Sequence, residues 1–118
     1  MKTKRQPKIK FETIRYADIS TKYITKTDGE LIGIKKAPGH IGSTDPDDQY
    51  EDGGSEGEFF AVQLDKECFQ QQVEEMQAFG FSEHFIRIFD LLHQQRIQYV
   101  RIDANGGEVD GDLPTFDW

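Results

Sequence analysis

Residues 37–57 (APGHIGSTDPDDQYEDGGSEG) constrain this chain most. They hold two prolines, five glycines and six acids, with no Lys or Arg. Such a stretch has little apolar surface to offset the entropy of ordering its backbone. Unstructured connections beyond about 15 residues are uncommon inside compact domains and are usually functional or disordered. The reading is a long, flexible acidic loop, and any regular structure must lie on either side of it. Neither side alone holds enough apolar residues for a core, so the 118 residues form one domain crossed by the loop.

The flanking segments carry clear periodicity. Residues 9–16 (IKFETIRY) alternate apolar and polar side chains and predict a first strand, followed by a polar turn over 17–24. Thr25 has the chemistry of an N-cap for a short helix, with Asp28 at the capping-box position; Gly29 and Gly33 weaken that helix. Residues 58–64 (EFFAVQL) predict a second strand with Phe60, Val62 and Leu64 on one face. Asp65 then caps a helix over 66–79, whose Phe69, Val73 and Met76 recur at i, i+4 and i+7, and Gly80 ends it. Ser82 caps another helix over 83–95, where six of the eight residues 85–92 are apolar. That arc is broad enough to pack on two sides or to meet a partner. Residues 97–103 (IQYVRID) predict a third strand, Asn105-Gly106-Gly107 a turn, and residues 108–110 a short fourth strand. The expected fold is α+β, a two-layer α/β sandwich: a three- or four-stranded sheet with two main helices on one face.

Charge is distributed unevenly. The net charge is -8, yet residues 1–36 carry ten Lys/Arg against four Asp/Glu, and residues 37–118 carry four against eighteen. The basic residues 1–8 form a short tail without interleaved aromatics and without an apolar run behind it, which reads as a solubilising arm, neither a secretory signal nor a DNA-binding arm. With one cysteine, Cys68, no intramolecular disulfide can form, which fits a reducing cytoplasmic compartment. No stretch approaches a membrane span. The acidic remainder would repel nucleic acid and attract basic protein surfaces.

Metal, thiol and phosphate chemistry find little footing in this pattern. The acids suit hard cations, but an EF-hand register beginning at Asp45 meets Gln49 and Tyr50 where an oxygen ligand and a glycine belong. A loop beginning at Asp103, with Asn105, Glu108, Asp110 and Asp112, is the better cation candidate, although Glu108 takes the glycine position; the plain alternative is a solvated turn. Cys68, in the first turn of a helix, has the dipole in its favour and Glu67 against it, and reads as a buried or half-buried structural cysteine. His40, His84 and His93 share no zinc spacing, and no phosphate loop is present. No cofactor is implied, and catalysis gains no positive support.

Interaction is the remaining class. Asp45, Asp47, Asp48, Glu51, Asp52, Glu56 and Glu58 form one acidic cluster, and Asp103, Glu108, Asp110 and Asp112 a second. Together they could imitate the charge of nucleic acid and occupy a Lys/Arg groove built for phosphates. The expected partner is a basic protein surface, such as a nucleic-acid-binding defence complex. Phe116 and Trp118 either close the core edge or anchor a partner, and the broad helix 83–95 offers a surface for a homodimer.

Two stretches also carry a resemblance. DISTKYIT with the following DGELI (residues 18–32), and residues 78–118 ending in Leu113, Pro114, Thr115, Phe116, Asp117 and Trp118, resemble a family of small uncharacterised bacterial proteins. The resemblance covers about half the chain and leaves out residues 37–57. It implies no catalytic residues. It does imply a setting on plasmids, prophages and other mobile elements, where small acidic proteins often inhibit host defence of the anti-CRISPR or anti-restriction kind.

Overall fold

The computed structural model describes residues 8–43 and 57–117, and the fold is α+β. Strand β1 (Tyr16–Ser20) runs into a 3-10 turn (Thr21–Tyr23) and helix α1 (Lys26–Gly33). Strands β2 (His40–Ser43) and β3 (Glu58–Ala61) follow, then helices α2 (Lys66–Phe79) and α3 (Glu83–Gln94) and strand β4 (Tyr99–Asp103). The sheet is mixed, in the order β1-β4-β3-β2. β4 lies parallel to β1 and antiparallel to β3, and β2 pairs antiparallel with β3.

The helices begin and end where capping chemistry places them. Thr25 and Asp28 form a full capping box, Asp65 accepts from the Cys68 N–H, and Ser82 accepts from the Phe85 N–H. Gly80 closes α2 in the left-handed region, φ 108°. The core forms on one face of the sheet, where Ile19, Val100, Ile102 and Phe60 meet the helices. Phe60 contacts the rings of Phe85 and Phe89 edge-on, with centroids 6.0 and 5.7 Å away. Phe69 of α2 stacks on His93 of α3 at 4.0 Å. The apolar breadth of α3 is spent internally: Phe85, Ile88, Phe89 and Leu92 are buried, and Ile86 and Leu91 are half-buried.

Three expectations are corrected. Residues 9–15 form no strand, and β1 starts at Tyr16, because its partner β4 starts at Tyr99. Just upstream of Tyr99, Gln98 still reaches this segment, donating its N–H to the Arg15 carbonyl at 2.9 Å; beyond it the chain turns away through Arg96, φ 57°, and the alternating residues before Tyr16 stand exposed. The expected turn over 17–24 is instead most of β1 with the 3-10 turn. No strand forms at 108–110; the fourth strand is β2, inside the segment read as loop. Its anchors are Gly39, whose carbonyl accepts from the Ala61 N–H, and His40, paired with Phe60. Gly39 must be glycine: its φ is 84°, and a Cβ there would lie 2.6 Å from the buried Gln72 amide. Residues 1–7, 44–56 and Trp118 lie outside the described residues, and with them most of the expected basic tail and acidic loop.

Candidate functional site

The register of the sheet brings both acidic stretches to one end. Ser43, the last residue of β2, pairs with Glu58, the first of β3, and Glu58 pairs with Ile102 near the end of β4. Asp103, the last residue of β4, pairs with Ser20, the last of β1. The connection from β2 to β3, which carries Asp45, Asp47, Asp48, Glu51, Asp52 and Glu56, therefore leaves the same end as the 104–112 segment. Those six acids lie outside the described residues.

Of the five described candidates, two are structural. Glu58 alternates with Phe60 along β3, which puts it on the core face, 8% exposed. Its Oε1 accepts from the Ser43 hydroxyl at 2.9 Å and meets His40 Nε2 at 2.8 Å. This clasp closes the base of the acidic connection. Asp103 is 5% exposed, its Oδ1 accepting from the Asn105 N–H at 2.8 Å and its Oδ2 lying 3.7 Å from Arg101. Both carboxylates are largely buried and have internal partners, Glu58 through Oε1 alone, so neither contributes a freely exposed charge to this end.

Glu108 is exposed but pinned. Lys22 Nζ donates to it at 2.6 Å and the Tyr23 hydroxyl at 2.8 Å. These bonds, Lys22 first, hold its carboxyl below the ordinary glutamate value of 4.5 and raise Lys22 in return. The segment is tied further by Ser20 N–H to the Gly107 carbonyl at 3.1 Å and Val109 N–H to the Tyr23 hydroxyl at 2.9 Å. This close approach requires Gly106, where a Cβ would stand 2.1 Å from the Ile19 carbonyl oxygen. Phe116 rests on His84, ring centroids 5.1 Å apart, and its N–H donates to the Lys22 carbonyl, so it closes the domain edge. Asp110 and Asp112 are exposed, with no ion-pair partner among the described residues.

The cation candidate does not assemble: among the described residues no three His, Cys, Asp or Glu side chains stand together as ligands could. Cys68 is exposed, not buried or half-buried as expected. Asp65, hydrogen-bonded to it, pushes its thiol above the ordinary 9.0, with Glu67 adding a smaller push. His84 and His93 serve separate contacts, as their spacing requires.

Sequence reading missed two polar centres. The His40–Ser43–Glu58 clasp was signalled by Glu58 standing two residues before Phe60. An ion pair joins the β1–β4 register partners Asp18 and Arg101, Nε to Oδ1 at 2.8 Å and Nη2 to Oδ2 at 2.9 Å, on the face opposite the core. Asp18 raises the Arg101 guanidinium further. Nothing local in the sequence links residues that far apart.

The fold and this end of the sheet define a small α+β domain with a mixed four-stranded sheet and a charged sheet end. The chain belongs to a family of unknown function, DUF5983, whose C-terminal domain matches residues 16–118. The match begins at the first residue of β1. No curated protein and no solved structure matches significantly. No helix among the described residues is long and apolar enough to cross a membrane.

Proposed function

We propose that this domain binds a basic surface of another protein through the acidic end of its sheet, acting without catalysis in place of nucleic acid. Its setting in this reading is a mobile element, and its target a nucleic-acid-processing defence complex of the host. The observation that carries the reading is the register: two acidic stretches far apart in sequence leave the sheet side by side. A mimic of phosphates needs several charges on one side, and rigid presentation limits the entropy lost on binding. The Ser43–Glu58 closing pair and the pinned 106–109 segment supply fixed bases for both stretches. Lys22 offsets Glu108 at this end, which leaves Asp110, Asp112 and the acids of 45–56 as the effective charges.

The test is capture from nuclease-treated bacterial lysate by tagged protein. The comparison is a variant with Asp110, Asp112 and the six acids of residues 45–56 changed to Asn or Gln. One stoichiometric partner is expected with wild type, released by added duplex DNA and by 1 M salt, where the Debye length shrinks to roughly 3 Å. Equal capture by the neutralised variant, or capture insensitive to both salt and DNA, would overturn the reading.

A further inference from the structure

On the helix side of the acidic end, a cleft of about 200 Å³ opens between α1, the turn after β1 and the start of β3. Ile24, Ile32 and Ile102, all buried, give it apolar walls. Gly29 and Gly33 leave one side of α1 bare there, and a Cβ on Gly33 would meet nothing within 4 Å. The one carboxylate lining the cleft is Glu58, more than nine-tenths buried.

Glu58 is only half satisfied. Ser43 and His40 both engage Oε1, and no hydrogen bond reaches Oε2 among the described residues. No fully buried side-chain oxygen among those residues lacks a partner, so Oε2 is not sealed, and the cleft is the space Glu58 borders. A largely buried carboxylate with an open oxygen gains from a charged donor that brings its own apolar surface. A guanidinium makes its strongest, forked contact with both oxygens, and one is taken. An ammonium needs one, and its four-carbon stem can lie along isoleucine walls. Thr21, also lining the cleft, has a hydroxyl that can accept a second ammonium hydrogen.

We propose that this cleft receives a lysine side chain of the basic partner, its stem between Ile32 and Ile102 and its ammonium on Glu58 Oε2. The identity of that partner rests on the function proposed above; the cleft's chemistry does not. Lys35 also lines the cleft.

The test uses full-length, 15N-labelled protein titrated with Nα-acetyl-lysine methylamide, read by amide shifts. The controls are the Nε-acetylated form of the probe and the norleucine analogue. Saturable shifts centred on Gly29, Gly33 and Ile102 are expected with lysine, at least tenfold weaker with either control. Glu58→Gln should weaken binding by a similar factor. Gly33→Leu fills the cleft while keeping every charge, and should abolish the shifts with the unfolding midpoint held or raised. No saturable shift at these residues, or equal shifts with norleucine or in folded Gly33→Leu, would overturn the proposal. Salt-sensitive, charge-dependent partner capture without any lysine shift would sink the cleft and leave the proposed function standing. Lysine shifts in a protein whose neutralised variant still captures its partner would do the reverse.

Discussion

Asp28 should be the most costly side chain to remove outside the aromatic core. It is fully buried and joins the N-termini of two helices. Its Oδ2 accepts from the Thr25 N–H at 3.3 Å, completing the α1 capping box. Its Oδ1 accepts from the Ser82 N–H at 2.8 Å, and Oδ2 from the Ser82 hydroxyl at 2.5 Å. Ser82 is itself the N-cap of α3, so the carboxylate positions one cap and completes another. A hydrogen bond to a charged group contributes about 1.5–3 kcal/mol, and a lost cap costs about 1 kcal/mol. These overlap, because one carboxylate makes all three bonds, and each buried donor left unsatisfied costs roughly 1–3 kcal/mol. Asp28→Ala is therefore expected to lose about 3–5 kcal/mol from a total of roughly 5–15 kcal/mol. Asp28→Asn keeps one acceptor but opposes an N–H to the Thr25 donor, and should lose about 1–3 kcal/mol. Thr25→Ala, which touches α1 alone, should lose about 1 kcal/mol. Urea unfolding followed by circular dichroism reads all three. With a slope of about 1–3 kcal/mol per molar, the alanine midpoint should fall by at least ~1 M. If Asp28→Ala does not fold, the asparagine variant carries the measurement. Losses for Asp28→Asn and Asp28→Ala both no larger than for Thr25→Ala would refute the idea that this carboxylate couples the two helices.

Gly106→Ala should destabilise by more than about 1 kcal/mol, because the Ile19–Ser20 backbone would have to move, whereas Gly33→Ala should stabilise by about 0.5–1 kcal/mol; chemical denaturation of the two variants gives the sign of each. The Glu108 carboxyl should titrate below exposed glutamates in a carbon-detected NMR titration, and Lys22→Met should return it toward 4.5. Because its folded value is depressed, the small stability it contributes is present above the unfolded value and lost as pH falls through the folded one, so Lys22→Met should flatten stability only in that acidic window. Cys68 is exposed but should alkylate with iodoacetamide more slowly than a free thiol near neutral pH, and Asp65→Asn should speed it; an unchanged rate would mean the Asp65 hydrogen bond does not govern the thiol.

What could be read from the residues was local. The caps at Thr25, Asp65 and Ser82 and the stop at Gly80 mark α1, α2 and α3 within a residue or two, because capping chemistry acts over three or four positions. β3 and β4 followed from runs of β-forming residues ending in the core. The edges failed for opposite reasons. Residues 9–16 have the alternation of a strand, but pairing is a long-range event, and the ladder with β4 begins at Tyr16 and Tyr99, with the Gln98 N–H reaching the Arg15 carbonyl just before it. β2 has no such alternation, since its inward positions are the polar His40 and a serine paired through Glu58, and only the presence of Glu58 two strand positions before Phe60 hinted that a polar clasp was needed. The charged end was half legible. Two acidic stretches were plain, but their adjacency depends on β2 and β4 flanking β3, which local pattern does not specify.

The same clasp joins the two proposals made for this domain. A thirteen-residue stretch of polar chain between Ser43 and Gly57 has an unfavourable closure entropy, which grows only slowly with length but must be met by whatever holds the ends. His40, Ser43 and Glu58 hold them with one buried carboxylate, at the edge where the acidic connection begins. Using a carboxylate there leaves one oxygen over, since serine and histidine both take Oε1. An all-apolar clasp would close the connection equally well and leave the cleft without a charged terminus. Changing Glu58 to Gln therefore separates the roles: the amide can still bind Ser43 and His40 through its oxygen, keeping the hairpin, while removing the charge offered to a lysine. A hairpin retained with lysine binding lost would mean that the acidic end recognises its partner at a fixed point as well as through diffuse charge. A hairpin lost in Glu58→Gln would mean that the charge itself holds β2 to β3, and the Gly33→Leu variant and the norleucine control would then decide the lysine site.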